Sequence, residues 1–317
     1  MMPATTQPDG QDTARIHASI PCSAAALARS IGRAFSPFRS RGLDSGELVP
    51  QARPAERAAK TGKLHIEIVS HCWNYAHFLI YQLSSLVRFP PRQAQITMTV
   101  YYCREDQRTV DLLNYFASLQ VENVRWNWCE LPRQALFRRA IGRNQAALNT
   151  TADWIWFTDC DLMFRDTCLD SLSALLQGKN PVLVYPRIER CTSLLSDGDP
   201  MLSIDWQNLQ VVDVDTSQFE EFVRTRATGP LQITHGDVAR ACGYCASLSY
   251  YQRPSETWCK AYEDRAFRWL LRTQGEPLDI PGVYRIRHIA KGRYTGSTFN
   301  TRVRSWIRRK FGGAKPR

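Results

Sequence analysis

Apolar residues in the first half of the chain switch between two spacings, and each switch marks an element. Leu64, Ile66 and Ile68 alternate with polar neighbours before Val69, predicting a strand that ends in the loop Ser70-His71-Cys72-Trp73-Asn74. Tyr75, Leu79, Leu83 and Leu86 then recur at helical spacing until Pro90-Pro91 stops them. Residues 96–102 read as a second strand, and Val110, Leu113 and Phe116 share one face of a second helix. Residues 121–128 predict a third strand, followed by a helix over 133–149 with Phe137, Ile141 and Leu148 on its apolar side. The unbroken apolar run Trp154-Ile155-Trp156-Phe157 is the pattern of a short strand buried on both faces. This alternation predicts an α/β fold, a mostly parallel central sheet flanked by helices, with its loops converging at one edge.

The second half is less regular. A helix is expected beyond Phe164 through Leu176, then a strand over 181–185. Residues 190–230 are polar and irregular, read as a loop-rich wall over the site. Thr234-His235-Gly236-Asp237 and Gly243 read as turns where backbone approaches a ligand. Phe267, Leu270 and Leu271 predict the buried face of a last helix, which Glu263 and Asp264 enter and Gly275 stops.

Chemistry enters where the central apolar run stops. Asp159 and Asp161 are two residues apart, so on an extended backbone both carboxylates point to one side. Two hard oxygen donors suit Mg²⁺ or Mn²⁺ holding a phosphorylated substrate. A solvated turn at a strand end is the alternative.

Charge changes the picture only once it is located. The net charge is +11, but residues 1–62 hold 8 basic and 5 acidic residues, residues 301–317 hold 7 basic and no acidic ones, and the centre is nearly neutral. Basic ends on a neutral body argue against nucleic acid as the partner and fit peripheral contact with an anionic membrane surface. The expected organisation is a disordered extension over 1–62, one domain over 63–300 and a basic tail over 301–317. Leu27, Ile31 and Phe35 make a weak basic amphipathic segment within the extension, with a plain linker as the alternative. Ten scattered cysteines read as reduced thiols of a cytoplasmic protein, and Cys242 and Cys245 lack a second ligand pair at zinc spacing.

Taken together, Ile141-Gly142-Arg143-Asn144-Gln145-Ala146-Ala147 followed by Asp153-Trp154-Ile155-Trp156-Phe157-Thr158-Asp159-Cys160-Asp161 resembles the GT-A nucleotide-sugar glycosyltransferases, family 2 in particular. The resemblance spans about residues 64–290. It implies a GT-A fold, a nucleotide-sugar donor with UDP as first guess, and a hydroxyl of a glycan, lipid or protein as acceptor. Asp159 and Asp161 would hold the metal, completed by His288. Ser70, Asp106, Arg143, Asn144, Arg287 and Arg293 would bind the nucleotide sugar, with Arg285 and Lys291 as further diphosphate candidates. Asp264 would be the general base of an inverting transfer, with Glu263, His235 and Gly236 on the acceptor. One departure is that Tyr101-Tyr102-Cys103 stands where the family often places a base-reading Asp. Two alternatives remain. A haloacid-dehalogenase-like phosphatase would use Asp159 as nucleophile, and a catalytically degenerate relative would only bind glycan.

Overall fold

The computed structural model describes residues 57–196, 198–257 and 262–288. The amphipathic segment near residue 30, Lys291, Arg293 and the tail over 301–317 lie outside them.

Seven strands form the central sheet: β1 (Leu64–His71), β2 (Ala94–Tyr102), β3 (Val124–Glu130), β4 (Trp154–Phe157), β6 (Leu183–Pro186), β9 (Gln232–His235) and β10 (Glu276–Leu278). Their spatial order is β10-β6-β9-β4-β1-β2-β3. β1 pairs in parallel with β2 and β4, β2 with β3, and β10 with β6; only β9 runs against its neighbours. The carboxyl ends of β1, β2 and β4 therefore share one edge, where ligands of open α/β sheets bind. A smaller sheet, β5-β11-β7-β8, is made of β5 (Leu162–Phe164), β7 (Ile188–Cys191), β8 (Glu220–Val223) and β11 (Val283–Arg285). It brings the chain beyond β4 against the chain's last described strand.

Helix α1 (Ala76–Arg88) buries the predicted stripe and packs on β5. Helix α2 (Gln107–Ala117) buries Thr109, Leu112, Leu113 and Phe116, a face turned slightly from the expected one. The helix expected over 133–149 is two, α3 (Arg133–Leu136) and α4 (Arg139–Asn149), and its inner face differs from the pattern. Leu148 is 48% exposed, while Ala140, Gly142, Arg143, Ala146 and Ala147 are buried. The reason is distance. A Cβ at Gly142 would stand 2.3 Å from His71 Nε2 and 2.9 Å from Tyr101 Cγ, so only a small-residue face lets α4 lie against the ends of β1 and β2. Close approach of this kind leaves the larger apolar side chains outside and carries Arg143 in.

The remaining helices are α5 (Cys168–Leu176), α6 (Gly236–Cys242), α7 (Ser249–Gln252) and α8 (Glu263–Leu270). Residues 57–62, grouped above with the extension, are tied to the body. Arg57 Nε donates to Asn180 O, Ala58 N to Asp237 Oδ2 and Gly62 N to Gln177 Oε1. No helix among the described residues is long and apolar enough to cross a membrane.

Candidate active site

Beyond Phe157 the chain leaves the extended conformation, so the strand's period of two no longer applies to Asp159 and Asp161. The turn between them is fixed from behind. Gln82 on α1 donates to Asp159 O and Leu162 O, and its own side-chain oxygen accepts from Ser70 Oγ at 2.6 Å. Cys160 Sγ donates to His71 O. With the backbone turned, the two carboxylates take different partners. Asp159 Oδ1 lies 2.5 Å from Arg139 Nη1 and 3.4 Å from Arg143 Nη2, whereas Asp161 interacts electrostatically with Arg285.

Arg139 also reaches the other acidic pair. Its Nε donates to Glu263 Oε1 at 3.0 Å and its Nη2 lies 2.8 Å from the same oxygen. One guanidinium thus joins the Asp-x-Asp turn to the first turn of α8, more than 100 residues later. Burial pushes the Glu263 carboxyl up, but Arg139 and Arg143 outweigh it and hold it below the usual carboxylate range. Asp264, next in sequence, is 27% exposed at the side chain, and Arg268 Nη1 stands 3.3 Å from its Oδ2.

Arg143 is wholly buried. It donates to Tyr244 Oη at 2.9 Å, to Thr158 O at 3.1 Å and to Gly229 O at 3.4 Å. Tyr244 Oη in turn donates to Gln232 Oε1, and Gln232 Nε2 donates to Asp264 O. Asn144 Oδ1 accepts from Tyr244 N. Arg143 and Asn144 are thus part of the internal frame of the site.

Other expected contacts are placed elsewhere. Ser70 is buried, with its hydroxyl engaged by Gln82. Asp106 is the cap of α2, where its carboxylate accepts from Thr109 N, Thr109 Oγ1 and Asn74 N. The turn expected at His235 and Gly236 is a strand-to-helix junction. They end β9 and begin α6, with Trp154 opposite His235 and Phe157 opposite Gln232. The antiparallel direction of β9 puts His235 about 10 Å along the strand from the site edge and brings Gln232 there instead. Glu263 is 5% exposed at the side chain, and its carboxylate is paired with Arg139. The Arg287 guanidinium lies 5.1 Å over the Phe222 ring, toward β8, and Arg285 is paired with the buried Glu189. His288 Nε2 is 3.2 Å from Tyr75 Oη, and its ring lies 4.3 Å from Phe78.

Among the described residues no group of three or more His, Cys, Asp or Glu is placed to hold a metal. The donor set that remains still fits Mg²⁺ or Mn²⁺, which bind proteins through as little as one or two carboxylates and complete their shell with substrate phosphates and water. Asp161 would be that ligand, since Asp159 is already paired with two guanidiniums. The described cysteines, Cys242 and Cys245 included, are free thiols.

Arg139, Gln82, Gln232 and Tyr244 were not singled out from the sequence. Arg139 did carry a signal, since it precedes Arg143 by four residues and so shares a helix face with it. Gln82 is a polar residue in the midst of the buried face of α1. Gln232 and Tyr244 carried none.

Burial also lowers the pKa of three histidines. His77 is held down to about 4, with Arg108 adding to the effect of burial and Asp106 opposing it, and burial lowers His65 and His235 as well. A folded value below the unfolded one means that the unfolded chain takes up the proton first. Stability is then intact above pH 6.5 and drains as the pH falls toward about 4. His77→Gln should therefore lessen the drop in melting temperature between about pH 7 and about pH 5. Thermal melts at both values check it, and an unchanged drop would show that His77 titrates alike in both states.

No family model matches the sequence, and neither does any curated protein. Solved structures do resemble it. Staphylococcus aureus TarS 1-349 in complex with UDP is 14% identical over 70% of this chain and 60% of that one, with a TM-score of 0.44. The same protein in complex with UDP-GlcNAc is 12% identical over 74% of this chain and 62% of that one, with a TM-score of 0.42. The mannosyltransferase PcManGT from Pyrobaculum calidifontis, in complex with GDP-Man and Mn²⁺, is 15% identical over 92% of this chain and 76% of that one, with a TM-score of 0.44. The chain thus spans about three fifths of the TarS chain. The fold itself is the mostly parallel α/β sheet flanked by helices that the sequence pattern predicted.

Proposed function

We propose that the chain is a divalent-metal-dependent glycosyltransferase that moves a sugar from a nucleotide diphosphate to a hydroxyl acceptor, with inversion. What supports this reading is the meeting of two acidic pairs at the carboxyl edge of the sheet. Arg139 joins Asp159 to Glu263, and the half-exposed Asp264 stands beside them. In this reading the Asp264 carboxylate takes the proton of the acceptor hydroxyl. The acceptor oxygen forms its bond to the anomeric carbon as the bond from that carbon to the diphosphate oxygen breaks, and the nucleotide diphosphate leaves with the electron pair. A bound Mg²⁺ or Mn²⁺ would neutralise the charge gathering on the leaving diphosphate, held by Asp161. Gln82 fixes the backbone of that turn, and the Arg143–Tyr244–Gln232 chain fixes the backbone of Asp264. Such preorganisation is what a transfer in one step requires.

The test is a thermal-shift screen of UDP, GDP and CDP with and without Mn²⁺. Saturating nucleotide at about a hundred times its dissociation constant adds about 2.7 kcal/mol to the folded state. A shift by one nucleotide that needs Mn²⁺ and is lost in Asp161→Asn is the expected result. A metal-independent shift, or none, would sink the metal-dependent transferase reading.

A further inference from the structure

Arg139 occupies the position between the two acidic motifs, and its charge bears on how a cation could enter. Three contacts of its guanidinium are to two carboxylates. Nη1 is bonded to Asp159 Oδ1, while Nε and Nη2 both address Glu263 Oε1. The groups facing this point are Asp159 from the β4–β5 turn, Glu263 from α8, and Arg139 and Arg143 from α4. Two carboxylates meet two guanidiniums, so the cluster is electrically balanced as it stands. It is also shielded, with side-chain exposures of 21% for Arg139, 20% for Asp159, 5% for Glu263 and 0% for Arg143.

A dication placed on Asp159 would meet a guanidinium at hydrogen-bond distance in a partly dehydrated setting, where like charges repel far more than in water. Arg143 cannot yield, because its guanidinium is enclosed by Tyr244, Thr158 and Gly229. Arg139 can. It starts α4, no side chain caps that helix end, and one edge of it is open to solvent.

We propose that Arg139 is an internal cation competing with the metal for Asp159, so that Asp159 becomes a ligand only when a phosphate-bearing molecule draws Arg139 away. This rests on the metal part of the function proposed above and adds an order to it. In the closed arrangement Asp159 is withheld, metal binding is weak, and the full carboxylate pair acts only as the diphosphate arrives. Glu263 is the second anchor that returns Arg139 to the closed position.

The test reads Mn²⁺ itself, by the loss of the electron paramagnetic resonance signal of the free aqueous ion. It uses the full chain without nucleotide and then with inorganic pyrophosphate. The expected result is that Arg139→Gln binds Mn²⁺ about tenfold or more tightly than the unaltered chain, consistent with removing a cation at contact distance. Arg139→Gln with Asp159→Asn should lose that gain. Pyrophosphate should tighten Mn²⁺ binding to the unaltered chain beyond its own solution complexation, and do so less in Arg139→Gln. Circular dichroism melts establish that each variant is folded. Should Arg139→Gln not fold, Arg139→Lys replaces it, with a smaller gain that again disappears with Asp159→Asn. Equal or weaker Mn²⁺ binding in a folded Arg139 variant overturns the competition while leaving the transferase reading intact. A gain that survives Asp159→Asn overturns it too, by placing the metal elsewhere. If no form binds Mn²⁺ with either pyrophosphate or nucleotide, the competition and the metal-dependent reading both fall.

Discussion

Replacing Arg143 with methionine is expected to lower stability by about 3–5 kcal/mol, the cost of breaking a buried ion pair from one side. For a domain of this size that is a fall in melting temperature of about 6–20 °C. Methionine fills much of the volume, so the loss is electrostatic rather than a cavity. It takes the Arg143 donor from the Tyr244 hydroxyl, Thr158 O and Gly229 O, and one of two guanidiniums from Asp159. Lysine should not rescue it, since one ammonium cannot reach partners arranged around a planar fork. Adding Asp159→Asn to Arg143→Met should recover part of the loss by removing the carboxylate left short of charge. Calorimetric melts of the three variants decide this, and a single variant that melts like the unaltered chain would show that the buried guanidinium contributes little.

The second large effect falls on chemistry. Asp264→Asn is expected to slow sugar transfer by about a hundredfold or more, the usual worth of a positioned general base, while leaving the metal-dependent nucleotide shift near normal. The two readouts separate because Asp264 holds the site together through its backbone oxygen, which accepts from Gln232, and asparagine keeps that oxygen. Once the nucleotide screen has named a donor, transfer and donor binding are measured on the same preparation. Full transfer by the variant would remove Asp264 as the base. Loss of nucleotide binding would instead make it part of the donor site.

The two positions also show how much of the site could be read along the chain. Both acidic pairs stand out by residue type and order, because each lies at the end of an element whose apolar period announces it, while the Arg143-Asn144 dipeptide stands out by its order before Asp159 and Asp161. The same periods predicted β1, β2, β4, α1 and α5 closely. Periodicity failed at α4, where the helix is held by small residues and a buried arginine, so that Leu148 points outward and Ile141 is only partly buried. It failed at His235 and Gly236 because one antiparallel strand among parallel ones reverses which end of a segment reaches the site. It also overstated Ser70 and Asp106, whose polar side chains are consumed by Gln82 and by the start of α2.

By itself the amino-acid order determined the alternation of strand and helix, the buried central strand and the presence of two acidic pairs. These follow from local spacing and from apolar side chains leaving water, which neighbours in sequence suffice to express. Only the tertiary structure decided which carboxylate is paired and which is open. Asp159 and Glu263 share one guanidinium, Asp161 faces Arg285, and Asp264 keeps an exposed edge. The physical reason is that the charge state and reach of a carboxylate are set by whatever cation lies within a few ångströms. Here those cations arrive from α4 and β11, elements that no local pattern places beside it.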